Sequence, residues 1–342
     1  MQKRLRATAF IVLILFALLV MPIMRYRKEA NLASLPSRYV KGVYASAFSR
    51  EQLLLQQDSI CQTANELSLN FVLLHVSDPD TSVSTDTAAW CRNTLIIESA
   101  KRVADNDVIN LFFHLEKVPL LSRIVMASRY LFNSSYALLS AVDPAGKSLP
   151  QWDQATRRRQ NPGIFNLGPW GGLSLPGFAN GKLPSFRAKC ETLTVYARIK
   201  RELVKDPRVS MSILLQAIAD GHFFNAIEAI APANGFDACF FPANGPEVVQ
   251  MGDMDPRYKG KLRVNTPFTF PTQVFLVRNG EPAANTPPRL QKQVIWDIDK
   301  PGVYRVEVRV PRNRFSHLPW IITNPFYLGD TSEEHENNTS NS

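Results

Sequence analysis

The stretch LNFVLLHVSDPDTS, residues 69–82, limits the fold more than any other part of the chain. An apolar run from Phe71 to Leu74 stops in a burst of polar groups, as a strand does when it delivers side chains to a site. Upstream, RYVKGVYAS (38–46) is β-like, and Leu53, Leu54, Ile60, Ala64 and Leu67 recur on a roughly helical period through 50–68. Together these stretches read β-α-β. Further helices are predicted at 91–105, 191–204 and 211–220, the last stopping at Gly221, with a strand within 108–118. Strands alternating with helices of this length predict a parallel α/β architecture such as a barrel. The Pro- and Gly-rich region 143–186 then reads as long loops, which in a barrel build the active face.

The pattern changes after about residue 236. KLRVN, TQVFLVR, QVIWDID, GVYRVEVRV and PWIITNPFYL are short strands separated by turn-formers, and Asn279-Gly280 is a hairpin signal. In GVYRVEVRV, Val306, Val308 and Val310 fall on one face and Arg305, Glu307 and Arg309 on the other, the mark of a half-buried antiparallel strand. Five such strands without helices predict a small β-sandwich.

Charge bears on partners. Nine of the 39 Lys and Arg residues fall in residues 1–50 against one acid, Glu29. The rest of the chain holds 30 basic and 29 acidic residues and is nearly neutral. That excludes a general nucleic-acid binder, which needs cations across its folded surface. The N-terminal charge flanks ATAFIVLILFALLVMPIM, residues 7–24, which carries no charge. Eighteen helical residues span about 27 Å, enough for a hydrocarbon core. No small-x-small cleavage pattern follows Met24, so an uncleaved anchor with the body outside the cytoplasm is expected. The predicted organisation is an anchor and flank (1–34), an α/β barrel (35–235), a β-sandwich (236–329) and a polar, acidic, disordered tail (330–342). The four cysteines, Cys61, Cys91, Cys190 and Cys239, form no CxxC motif and fit buried thiols as well as disulfides.

PGVYRVEVRV followed by PWIITNPFYL resembles the C-terminal module of a group of PHP (polymerase and histidinol phosphatase) superfamily proteins. LPQWDQATRRRQNPGI, PSFRAKCETLTVYAR and ILLQAIADGHFFNAIEAIAPANGF resemble later segments of the same proteins, in the same order. The resemblance covers about residues 38–328 and implies a distorted TIM-type β/α barrel followed by a β-sandwich. It also implies a site for two or three divalent metals that activate a water and clamp a phosphate. Its signatures are His-x-His, Asp-His and Asp-Ala-His. Ala45 and Ala47 stand at the first, Val76 and Ser77 at the second, and GIFNLGPWGG, with no acid and no His, at the third. Outside the tail the chain has only His75, His114, His222 and His317, no two of them within five residues. A metal cluster needs several converging imidazoles and carboxylates, so no metal cofactor is expected.

The remaining site candidates are Asp78 and Asp80, past the second strand, and His114 and Glu116, alternating on one strand face. Asp78 and Asp80 suit a cation or sugar hydroxyls, or simply a turn around Pro79. Trp170, Phe165 and Phe178 could form an aromatic platform or close the barrel end. His222 reads as a charge partner for a helix C-terminus, His317 as a surface residue, and Asp297 and Asp299 as solvent-facing. No G-x-S-x-G elbow, P-loop or Rossmann glycine pattern occurs. Three functions remain. The first is a membrane-anchored pseudoenzyme binding a protein, glycan or phosphorylated ligand. The second is an active hydrolase, phosphoesterase or glycoside-hydrolase-like, with a rearranged acidic site. The third is a structural component of an envelope complex.

Overall fold

The computed structural model describes residues 39–48, 50–76, 86–99, 109–112, 148–156, 162–167, 173–174, 182–183, 186–267, 270–311 and 317–329. The predicted anchor at 7–24, most of the Pro- and Gly-rich region and the acidic tail lie outside them. In chain order the elements begin with β1 (Tyr39–Phe48), α1 (Arg50–Glu66), β2 (Phe71–Val76), β3 (Thr87–Cys91), β4 (Thr94–Ser99) and β5 (Ile109–Phe112). Then come α2 (Ser148–Thr156), β6 (Gly163–Asn166), β7 (Leu173–Ser174), β8 (Lys182–Leu183), α3 (Phe186–Cys190), β9 (Leu193–Arg198), α4 (Pro207–Ala219) and β10 (Phe223–Ile227). The C-terminal part holds β11 (Asp237–Pro242), β12 (Val249–Gln250), β13 (Met254–Asp255), β14 (Gly260–Asn265), β15 (Gln273–Arg278) and β16 (Glu281–Asn285). It closes with β17 (Gln293–Ile298), β18 (Gly302–Pro311), β19 (His317–Thr323) and β20 (Phe326–Leu328).

β1, β2 and β4 are parallel neighbours, with α1 connecting the first two. Alternate residues of these strands enter two separate cores. Val72, Leu74 and Ile96 pack in the core that also takes Ile60 and Ala64 of α1. Phe71, Leu73, Leu95 and Ile97 pack with Leu214 and Ile218 of α4. A strand covered on both faces has no use for polar alternation, which is why β2 reads as a continuous apolar run. Each such side chain contributes about 1.5–3 kcal/mol by leaving water. At Gly42 a Cβ would lie 2.4 Å from the Phe71 ring, so β1 can approach β2 only with glycine there. Helix α4 starts where Asp206 accepts from the Arg208 and Val209 amides ahead of Pro207, and the chain leaves it through Gly221 at φ +72°.

The predicted TIM-type barrel is not formed. The described strands make an open, branched, mixed sheet in the order β13-β20-β18-β19-β10-β9-β1-β2-β4-β3, with β6 and β5 branching from β1 and β15 and β16 from β18. A second sheet runs β12-β11-β14-β17. Two predicted helices are strands. Residues 91–105 hold β4 and its hairpin turn with β3, and 191–204 hold β9, which runs antiparallel to both β1 and β10. Their cores, TLIIES and LTVYAR, are rich in β-branched and aromatic residues, whose fit to a pleated surface outweighed a helical spacing of apolar positions. With β9 antiparallel, the sheet does not continue as a parallel ring and instead runs on through β10 to β19, across residue 236. The expected transmembrane helix is likewise not among the elements: no described helix is long and apolar enough to cross a membrane.

The polar face of β18 is not solvent-facing. Arg305 is 6% exposed and Glu307 1%. Glu307 accepts from Arg305 Nη2 at 2.7 Å and from Arg309 Nε at 2.9 Å, and Arg305 pairs with Asp153 of α2 and lies over the Trp152 ring. The WIITNPFYL ending acts as a set of fasteners. Trp320 Nε1 donates to the Ala231 carbonyl at 2.8 Å. Asn324 accepts from the Gly163 amide at 2.7 Å and donates to the Phe223 carbonyl at 2.9 Å. Asn225 accepts from the Phe165 amide and donates to the Gly163 carbonyl, both at 2.7 Å. As predicted for Asn279-Gly280, β15 and β16 meet at a turn where both residues have positive φ, 52° and 82°.

Candidate functional site

From β1 the chain builds outward through β2 to β4, then returns to place β6 and β5 on the opposite side. The strand order therefore reverses between β1 and β6. In open sheets, the crevice beyond the carboxyl ends of the strands at such a switch point is where ligands bind. The three stretches singled out from sequence meet at this edge. Ala45 of β1 pairs with Leu74 of β2, and Tyr44 pairs with Asn166 of β6, whose neighbour Leu167 donates its amide to the Tyr44 carbonyl at 2.9 Å. His75 lies opposite Ser99, and Leu74 opposite Glu98, on β4. Ala45, His75 and Asn166 are buried, at 1%, 5% and 0% exposure.

These neighbouring strands thus carry a buried methyl, imidazole and carboxamide, with Glu98 one strand further out. Among the described residues no group of three His, Cys, Asp or Glu could hold a metal ion. Ser77, Asp78, Asp80, His114, Glu116, Trp170 and Phe178 lie outside the described residues. Phe165 is 1% exposed within the core, so it is not part of an aromatic platform.

Two polar constellations went unnoticed in the sequence. On the face of β1 and β9 that carries Tyr39 and Tyr196, Glu228 takes Lys41 Nζ at 2.8 Å, the Ala233 amide at 2.9 Å and the Tyr196 hydroxyl. Burial, with Glu228 adding to it, pushes the Tyr196 phenol well above its ordinary value, so it stays a proton donor. Tyr39 Oη donates to Asp237 at 2.7 Å beside Arg198. Lys41 and Glu228 are 187 residues apart in sequence, and no local pattern pairs them.

The second constellation is His222, whose Nε2 lies 2.7 Å from Asp253, with Asp220 3.8 Å from Nδ1. It directly follows α4, its amide bonded to the Ala217 carbonyl at 2.9 Å, and its ring is held by Asp253. Burial works to raise the Asp253 carboxyl, but the His222 and Gln250 hydrogen bonds outweigh it and hold the group below its usual range. A cavity of about 230 Å³ adjoins His222, with Lys200, Ser212 and Gln216 in its wall. Lys189 is also buried, and loss of hydration brings its ammonium down to about 8.

Cys61 and Cys91 are joined in a disulfide, while Cys190 and Cys239 are buried free thiols. His317 is half-buried on β19, Asp297 is exposed and 3.7 Å from Lys261, and Asp299 is exposed. No family model, no curated protein and no solved structure matches the chain.

Proposed function

We propose that this is a binding or scaffolding protein that engages a protein, glycan or phosphorylated ligand at the β6-β1-β2 strand ends without divalent metal. The body lies on the oxidising side of a membrane, tethered by residues 7–24. One observation carries the reading: β6, β1 and β2 are neighbouring parallel strands at a topological switch point, and the residues there are Ala45, His75 with Val76, and Asn166. The PHP resemblance, which does not extend to a barrel, supports treating these stretches as a ligand edge. The Cys61–Cys91 bridge supports the compartment, because disulfides persist where thiols are not kept reduced.

The test is elemental analysis of the full chain purified from cells grown with added manganese, zinc and iron, paired with capture of ligands from membrane extracts. Metal well below one equivalent, with capture reduced by Asn166→Ala, is the expected result. One tightly held equivalent of manganese, zinc or iron sinks the proposal.

A further inference from the structure

The bridge between Cys61 and Cys91 joins the last turns of α1 to the turn end of the β3–β4 hairpin, with Cα atoms 5.9 Å apart. Both cysteines are half-buried rather than enclosed. Cys61 lines a groove of about 550 Å³ with Asp58, Gln62, Asn65, Glu66 and Arg92. The groove also holds the groups that exchange chemistry needs. The Asn65 side-chain amide donates to the Cys61 carbonyl at 2.7 Å and lies 3.4 Å from Cys91 Sγ and 3.6 Å from Cys61 Sγ. A donor beside the sulfurs favours the thiolate that leaves, and a guanidinium in the same groove favours the same charge. Arg92, the residue after Cys91, lines this groove, and its backbone is held at φ +53°, a left-handed conformation that costs energy for any residue carrying a Cβ.

Cys190 and Cys239 form the contrast. Both are buried, and burial pushes both thiols up, so neither is primed as a thiolate. Redox chemistry in the described residues is concentrated at one accessible pair. Among the described strands β3 is moreover an edge, hydrogen-bonded only to β4 and half-exposed along its length. The disulfide is the covalent link holding that edge to α1.

We propose that Cys61–Cys91 is a thiol–disulfide exchange site for a dithiol protein of the oxidoreductase class, and that its opening loosens the β3–β4 hairpin. One thiolate of the partner attacks a bridge sulfur, the other bridge sulfur leaves as thiolate and takes a proton, and a mixed disulfide forms. The partner's second thiol displaces the remaining cysteine. Cys61 and Cys91 end as two thiols and the partner as a disulfide, two electrons having passed to the bridge. Because β4 pairs with β2, the hairpin flanks the strand-end edge, and its loosening weakens ligand capture there. That last link rests on the function proposed above, whereas the exchange itself does not.

The experiment titrates the oxidised full chain with dithiothreitol under native conditions, traps thiols with iodoacetamide and follows amide exchange by mass spectrometry. Cys61 and Cys91 are expected to be trapped together while Cys190 and Cys239 stay unlabelled. Exchange across 87–99 should rise about ten-fold or more while β9 and β10 keep their protection. Labelling of all four cysteines at one dithiothreitol concentration overturns the proposal, since the bridge would then open only on global unfolding. Labelling of the pair with unchanged exchange in 87–99 overturns the loosening. The double variant Cys61→Ser, Cys91→Ser provides a second measurement of the hairpin, expected to match the reduced chain. All these readouts are independent of any ligand, so failure of the strand-end reading is scored separately by capture.

Discussion

Glu307 and Asn324 are both buried, 1% and 0% exposed, and both fasten the C-terminal strands, yet by opposite means. Glu307 is a charge held between two guanidiniums, one of which also reaches Asp153 on α2. Asn324 is a neutral amide that satisfies one backbone N–H of β6 and one carbonyl of β10. The charged clasp was dehydrated at a cost and is maintained by its completeness. The amide clamp costs less to bury because each of its atoms replaces one bond to water with one bond to backbone. The two therefore differ in how they fail.

Removing one member of a buried ion network leaves the others charged and unpaired. Glu307→Ala is accordingly expected to lower unfolding free energy by about 3–5 kcal/mol, the largest single-site effect here, as read from urea melts. A loss below about 1 kcal/mol would show the clasp to be solvated after all. The same network sets an acid response. Burial works to raise the Glu307 carboxyl, but Arg305 and Arg309 outweigh it, so the folded value lies below the ordinary 4.5. A carboxyl depressed on folding stabilises fully above its unfolded value and stops doing so as pH falls through the folded one. The stability gap between wild type and Glu307→Gln should thus be constant above pH 4.5 and close below it.

Asn324→Ala strands the Gly163 amide and the Phe223 carbonyl without partners. The expected cost is about 2–4 kcal/mol, from about 1–3 for each orphaned group with partial relaxation. Since no proton is bound or released at the amide, this gap should stay flat with pH through the range where the Glu307 gap closes. A pH-dependent Asn324→Ala gap would erase the distinction between the two fasteners.

The contrast also explains what sequence could convey. Local signals sufficed for the β1-α1-β2 unit, for the Asn279-Gly280 turn and for a helix near 211–220. That helix in fact begins at Pro207, four residues earlier than predicted, and the Asp206-Pro207 cap and N1 pair was the available signal. Period alone misled at TLIIES and LTVYAR, where a few apolar positions fit a helix but β-branching decided otherwise. The alternation in β18 separated valines from charges correctly, yet could not reveal that α2 and Phe275 would cover the charged side. Strand order rests on pairings such as Phe224 with Thr323, far apart in the chain, and this turned an expected barrel into an open sheet. The same holds for the site. The identities Ala45 and Val76 were legible and Asn166 was not singled out within GIFNLGPWGG, their adjacency was an expectation from resemblance, and His222–Asp253 depended on a turn 31 residues away.

Glu228 makes a third case, intermediate between the first two, and gives the smallest effect. It is buried and charged like Glu307, but it is served by three different donors: Lys41 Nζ, the Ala233 amide and the Tyr196 hydroxyl. Tyr196→Phe removes one donor and keeps the ring, which stacks on Phe224 with centroids 4.8 Å apart. The carboxylate retains an ammonium and a backbone amide, so only one net hydrogen bond is lost and about 1 kcal/mol is expected. The check is a thermal melt of Tyr196→Phe beside Glu307→Ala. A small shift for the first and a large one for the second is what redundancy of donors implies. Equal shifts would mean that the phenol's hydrogen bond carries most of the support for Glu228, and that counting donors is the wrong way to rank buried carboxylates in this protein.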